Sequence, residues 1–118
     1  MLARIEPLVR NGHPVVRKQA GQDLRDAGER FCKEMLVKDR RAKGDLGAVI
    51  SEFDGKDLGW LVPRVQPLLV KDPAHSGKLN AFRAAVNPAK HDDEIPSQGT
   101  LTVAFGNLKE MAKEYLVS

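Results

Sequence analysis

Arg83, Asn87 and His91 form the residue arrangement in this sequence that is best suited to catalysis. They are four residues apart, so they share one face if the helix that carries them is continuous. An arginine stabilises the negative charge that develops on a phosphate, and a histidine acts as acid or base near neutral pH. The combination predicts metal-independent RNA cleavage, with the ribose 2′-hydroxyl as the nucleophile.

A structural interpretation of the same segment stays open. Pro88 stands between Asn87 and His91, and proline breaks or kinks a helix. In this interpretation Asn87 and Pro88 end the helix, while His91 and Asp92 fasten the following loop by hydrogen bonds. The acidic run 92–94 could draw a divalent cation, although three acidic loop residues are usually only solvated. We expect no metal and no cofactor.

The other residues with reactive side chains have simpler interpretations. Cys32 follows Phe31 inside a helical pattern, which predicts a semi-buried structural thiol rather than a nucleophile. One cysteine also excludes an internal disulfide and a cysteine-rich zinc site. His13 and His75 neighbour prolines in predicted loops, so we expect both to be solvated surface histidines.

Basic residues cluster within six positions, and two interpretations of the cluster stay open. Its members are Lys38, Arg40, Arg41 and Lys43. Cations near the C-terminal end of a helix are favoured by the helix dipole, by roughly 0.3–1 kcal/mol each. The alternative is a contact with nucleic-acid phosphates, which a net charge of +3 permits without requiring it.

Helical periodicity runs through most of the chain and would position these groups. The clearest pattern predicts a long amphipathic helix near 14–42, which Gly44 caps at its C-terminal end. Its apolar stripe is Val16, Ala20, Leu24, Ala27, Phe31 and Met35. Gly21 and Gly28, seven residues apart on this helix, would let another helix approach closely. Short helices are also predicted over 2–10 and 45–53.

The second half of the chain predicts further helices. Pro63 and Pro67 must interrupt or kink the apolar segment 58–69, which gives two short helices or one kinked helix. Asp72 and Pro73 begin the next helix, as N-cap and first residue. The apolar face of that helix is Leu79, Phe82 and Val86.

Ser97 is predicted to cap the last helix. The expected buried face of that helix is Leu101, Ala104, Phe105, Leu108, Ala112, Tyr115 and Leu116. Since no stretch alternates strictly between apolar and polar residues, the predicted fold class is all-α, a compact bundle of about five helices.

Composition is consistent with a single folded domain over residues 1–118. The chain is 42% hydrophobic and 30% charged, and it has only six aromatic residues, so the core must be mainly aliphatic. No apolar run is long enough to span a membrane, and the N-terminus has no signal-peptide pattern. We expect a cytoplasmic protein.

Two segments of the chain resemble a known group of proteins. The segment 24–31 resembles a helix in the helical C-terminal regions of bacterial P-loop ATPases of the SMC/ABC type that are linked to phage defence. The stretch from Asn87 to Asp92, followed by Pro96 and Ser97, is similar to a motif near the end of those regions. The similarity covers about residues 14–116, and it implies that the chain is an accessory module of a larger protein.

The stretch that contains His91 is also similar to the HEPN superfamily of small helical bundles. These proteins often dimerise, and some are metal-independent ribonucleases whose motif combines an arginine, a polar residue and a histidine. Asn87 and His91 match the last two, whereas Val86 stands where the arginine belongs and Arg83 lies one turn earlier. The resemblance therefore implies that this chain has the HEPN fold without the ribonuclease activity. An active ribonuclease is the alternative.

From these patterns we expect a non-catalytic interaction module that binds a protein partner and self-associates as a homodimer. The long helix and the final helix would supply the packing surface, with Gly21 and Gly28 allowing close approach. The alternatives are a toxin-type ribonuclease that uses Arg83, Asn87 and His91, and a nucleic-acid-binding domain that uses the basic cluster.

Overall fold

The computed structural model describes residues 5–7, 9, 13–86 and 97–116. This part of the chain is helical and contains no β-strand, which confirms the all-α prediction. Its helices are α1 (Pro14–Ala42), α2 (Leu58–Val65), α3 (Ala74–Val86) and α4 (Gln98–Tyr115), with two 3-10 turns at Ile50–Phe53 and Gln66–Leu68. Residues 5–7 and 9 are also helical, as predicted.

Helix α1 has the predicted boundaries because both of its ends are capped. At its start the His13 side chain accepts a hydrogen bond from the Val15 N–H at 3.3 Å, and Pro14 occupies the first turn. At its end the Lys43 N–H donates to carbonyls of the last turn, and Gly44 follows with φ +105°. Glycine takes this left-handed conformation without strain, so the predicted cap is confirmed.

The core is mainly aliphatic and lies where α1 packs against α2, α3 and α4, while α3 also packs against α4. The predicted stripe on α1 is buried from Ala20 to Met35, whereas Val16 is half-buried. The predicted face of α3 is fully buried. On α4, Met111 is buried in addition to the predicted residues, whereas Ala112 and Leu116 are only half-buried.

Gly28 does allow a close approach, but the approaching helix belongs to the same chain. A Cβ atom at Gly28 would lie 2.2 Å from Cε1 and 2.7 Å from Cζ of Phe82 on α3. The Phe82 ring is fully buried, so it fills the space that the missing Cβ leaves. Gly21 is buried as well. The expectation that Gly28 serves the packing of a second copy is therefore wrong, because α3 already occupies this site.

The predicted helix over 45–53 is mostly absent, because only Ile50–Phe53 forms a 3-10 turn. Gly44 and Gly47 disfavour helix, and the Arg41 guanidinium holds the Ala48 carbonyl with hydrogen bonds of 2.9 and 3.2 Å. These bonds fix the segment as a loop folded back on the end of α1. Ala48 and Phe53 are buried there in a small cluster with Val37.

The two prolines of the apolar segment 58–69 affect the helix differently. Pro63 lies inside α2 without interrupting it, on the exposed side of the helix, where water can satisfy the carbonyl that lacks a donor. Pro67 lies in the 3-10 turn Gln66–Leu68 that follows α2.

The other helix starts agree with the sequence. The Asp72 carboxylate accepts from the Ala74 N–H at 2.8 Å, and Ser97 Oγ accepts from the Thr100 N–H at 3.1 Å. Among the described helices, none combines the length and the apolar character that crossing a bilayer would require.

Candidate functional site

The predicted catalytic residues are only partly within the described chain. Arg83 is half-buried in the last turn of α3, beside Gly59 at the start of α2. A Cβ atom at Gly59 would lie 3.5 Å from Nη2 of Arg83 and 3.3 Å from Oδ1 of Asp57. Asn87, His91 and the acidic run 92–94 lie outside the described residues, so catalytic use of Arg83 stays a prediction. Among the residues the structure does describe, no cluster of His, Cys, Asp or Glu could hold a metal.

A partly buried carboxyl group lies near Asp57. Burial raises the pKa of Glu29 on α1 above its ordinary value, and the neighbouring Arg25 guanidinium partly offsets this effect. The charges of Asp26 and Asp57 raise the pKa further. The result is a carboxyl group that is harder to ionise than an exposed one.

Each member of the predicted basic cluster has a hydrogen-bond partner in the chain. Lys38 donates to the backbone carbonyl of Tyr115, and Lys43 pairs with Asp39 at 2.8 Å. Arg40 pairs with Glu52 at 2.8 Å, while Arg41 binds the Ala48 carbonyl. The contacts of Lys38, Arg40 and Arg41 connect α1 to the loop 45–53 and to the end of α4. Binding of nucleic acid by the four residues stays a prediction.

His75 is not the solvated loop residue that the sequence suggested. It lies in the first turn of α3, and only 3% of its surface is exposed. Its Nδ1 atom is 2.8 Å from the Tyr115 hydroxyl, and the two rings meet edge to face. The expectation of a solvated loop residue is wrong, because the helix start that Asp72 and Pro73 correctly predicted places His75 in the first turn of α3.

The hydrogen bonds around Tyr115 favour one tautomer of the neutral His75 ring. The Lys71 N–H donates to the Tyr115 oxygen at 3.1 Å, so the phenol is best satisfied when its own proton goes to His75 Nδ1. His75 then carries its proton on Nε2, which faces a Glu110 carboxylate oxygen at 4.0 Å. Lys78 pairs with the other oxygen of Glu110 at 2.6 Å.

This network serves to attach the last turn of α4. Lys71 Nζ donates to the Glu114 carbonyl and Lys38 Nζ to the Tyr115 carbonyl, so two cations satisfy carbonyls at the helix end. Neither His75 nor Glu110 lines any of the larger described surface depressions. Because the imidazole is buried behind the phenol, we assign the network a structural role.

Cys32 is also structural, and it is more deeply buried than predicted. None of its surface is exposed, and burial raises the pKa of the thiol to about 12. Because the thiolate is the nucleophilic form, this cysteine is inert in the folded chain.

A groove with an apolar floor runs between α1 and α4, and we call it the α1–α4 groove. It has a volume of about 500 Å³. Its lining residues are Ala27, Arg30, Phe31, Glu34, Leu108, Ala112 and Leu116. The floor consists of residues four apart on each helix, so one apolar row from α1 faces another from α4.

The edge of the α1–α4 groove carries one ion pair. Arg30 Nε lies 3.1 Å from Glu34 Oε1, and the two side chains are 55% and 34% exposed. Glu34 and Leu116 also border a second depression of about 580 Å³, whose floor includes Val49 and Ile50. Val49 is itself 45% exposed, so apolar surface continues past the end of α4.

Comparison with known protein families, with curated proteins and with solved structures gives no significant match for this chain.

Proposed function

We propose that this chain is a non-catalytic helical interaction module that binds a second copy of itself through the α1–α4 groove. The observation that carries the proposal is the combination of an apolar floor with an edge of two opposite charges. Dehydrating apolar surface drives association, at about 25 cal/mol per Å².

The edge charges favour a second copy as the occupant of the groove. In a two-fold symmetric dimer, a residue that contacts another across the interface is contacted by the same residue in return. If two α1 helices run antiparallel with the two-fold axis midway between the exposed Arg30 and Glu34 side chains, Arg30 of each copy faces Glu34 of the other. The same surface is thus complementary to itself.

Exchanging the ion pair between copies costs little. An exposed pair four residues apart on a helix contributes only about 0.3–0.5 kcal/mol. The existing contact between Arg30 and Glu34 can therefore be shared with a partner, where exclusion of water makes charge pairs stronger.

The sequence resemblance supports a role for this self-association within a larger protein. Helical C-terminal regions of bacterial phage-defence ATPases are accessory modules, and we place this chain in such a role, as a cytoplasmic domain of a larger protein. Self-association would then bring two copies of that larger protein together.

Ala112→Glu is the direct test. Ala112 is half-buried in the groove, so a glutamate there places a charge in the apolar floor. Val103→Glu introduces the same residue into α4 at a 62% exposed site that does not line the groove. We expect sedimentation velocity to show a dimer for the wild-type chain and for Val103→Glu, but a monomer for Ala112→Glu. A monomeric wild-type chain, or a dimer of Ala112→Glu as stable as the wild-type dimer, would overturn the proposal.

A further inference from the structure

The chain's only tryptophan, Trp60, lies at the surface between two cations. Arg64 Cζ is 3.8 Å from the centre of the indole ring, and Lys56 Nζ is 4.9 Å from it. Phe53 lies beside the indole, with ring centres 6.1 Å apart, and the Arg40 guanidinium covers Phe53 at 4.7 Å. We call this set of five residues the Trp60 surface.

The Arg64 guanidinium is fixed in place before any ligand binds. Its Nη1 atom donates a hydrogen bond to the backbone carbonyl of Trp60 at 2.8 Å, and the guanidinium packs on the face of the indole ring. The residue as a whole is exposed, so the guanidinium is open to solvent away from the indole. A flat group that is already ordered loses little side-chain entropy on binding, which favours a ligand with a flat face of its own.

The cations of the Trp60 surface are available to an anion. Lys56 and Arg64 form no ion pair with any carboxylate in the described part of the chain. Arg40 is partly neutralised by Glu52, yet its side chain is still 46% exposed. Arg40 also belongs to the predicted basic cluster, so the Trp60 surface extends that cluster towards an aromatic group.

We propose that the Trp60 surface binds single-stranded nucleic acid. A base stacks on the solvent-facing side of the Arg64 guanidinium, and Lys56 and Arg40 contact the neighbouring phosphates. Aromatic rings and arginine planes interleaved with cations suit unpaired bases, whose faces are exposed only in single strands. This proposal does not depend on self-association, because none of the five residues lines the α1–α4 groove.

The strength of the salt dependence follows from the number of cations. Release of counterions by Z phosphate contacts gives a slope of about −0.7Z in log affinity against log salt for single strands. Of the three cations, Lys56 and Arg40 contact phosphates, so the predicted slope is about −1.4.

Trp60 provides the readout, since no other tryptophan contributes to the fluorescence. We expect oligo-dT and oligo-U to quench this fluorescence at low salt, and the predicted salt slope to follow. A duplex of the same length and poly-glutamate should bind at least tenfold more weakly. Absence of quenching by both oligonucleotides, or binding of poly-glutamate as tight as that of oligo-dT, would overturn the proposal; the second result would indicate a site for acidic peptides.

Arg64→Gln tests the stacked guanidinium, with Lys113→Gln on α4 as a control that removes the same charge from an exposed site. Binding of a labelled oligo-dT is measured by anisotropy, because Arg64→Gln itself changes the surroundings of Trp60. We expect Arg64→Gln to lose at least tenfold in affinity, and Lys113→Gln less than threefold. Equal losses in the two variants, with both folded by circular dichroism, would show that charge alone is responsible and would contradict the stacking.

Discussion

Gly28→Ala is the perturbation whose effect the structure defines most closely. The added Cβ would lie 2.2 and 2.7 Å from two ring carbons of Phe82, which has no exposed surface into which it could move. Overpacking of this kind costs about 1–3 kcal/mol. Replacing a helical glycine by alanine stabilises the helix by about 1 kcal/mol through its higher helix propensity. With a fully buried ring the cost lies near its upper end, so we expect a net loss of about 1–2 kcal/mol in the free energy of unfolding.

Two other glycines provide matched controls. Gly77 on α3 and Gly106 on α4 are exposed and have open space where a Cβ would lie. Alanine at either site should stabilise the chain by about 0.4–1 kcal/mol. Urea unfolding followed by circular dichroism measures all three variants, and the contrast between Gly28 and the controls should be about 1.4–3 kcal/mol. Removing ring volume with Phe82→Leu should make the double variant less unstable than the sum of the single changes. Stabilisation of Gly28→Ala to the level of Gly77→Ala would refute the close contact of α1 with α3.

Three further predictions concern buried polar groups. Tyr115→Phe leaves the Lys71 N–H and His75 Nδ1 without their shared partner, so urea unfolding should show a loss of about 1–3 kcal/mol; an unchanged midpoint would contradict the network. The Cys32 thiol, with its pKa raised to about 12, should react with Ellman's reagent only after unfolding; rapid labelling of the native chain would contradict its burial. The raised pKa of Glu29 means that the folded state holds this proton more tightly than the unfolded state, so the folded chain loses stability as pH rises through the folded-state pKa. Glu29→Gln should therefore gain stability relative to the wild-type chain at pH about 7 and lose this advantage near pH about 4; a constant difference at both values would contradict the shift.

Periodicity was enough to predict the helices that bury a continuous stripe. Both ends of α1 could be predicted because a proline, a glycine and an apolar row of regular spacing coincide there. The loop 45–53 could not, since its conformation depends on Arg41 reaching the Ala48 carbonyl, which is a contact between side chain and backbone that local propensity does not encode. His75 was misplaced because its burial depends on Tyr115, forty residues away in the sequence.

The candidate site was predictable only in its parts. The sequence named α1 and the final helix as the surface for a partner, which stays a prediction, and assigned Gly28 to that surface although Phe82 of the same chain fills the space. Arg30 and Glu34 are four residues apart, which is a common spacing for an ion pair on a helix. The sequence does not show that this pair lies at the edge of an apolar groove, because the groove forms only when α4 packs against α1. The sequence likewise did not identify Trp60 as part of a site, because the contacts of Lys56 and Arg64 with the indole ring are seen only in the folded chain.

Charge exchange between two variants tests the proposed self-association most directly. Arg30→Glu makes both edge charges of the groove negative, and Glu34→Arg makes both positive, so each variant alone should repel its own copies. An equimolar mixture restores opposite charges at both contacts. The corresponding changes Asp39→Lys and Lys43→Glu alter an ion pair of the same spacing on α1, outside the groove, and should leave the association unchanged.

Sedimentation velocity at a concentration where the wild-type chain is dimeric gives the result. The proposed self-association predicts that each variant is monomeric alone, with its dissociation constant raised at least tenfold, and that the mixture forms a dimer. A mixture that stays monomeric, or single variants that dimerise as the wild-type chain does, would contradict it.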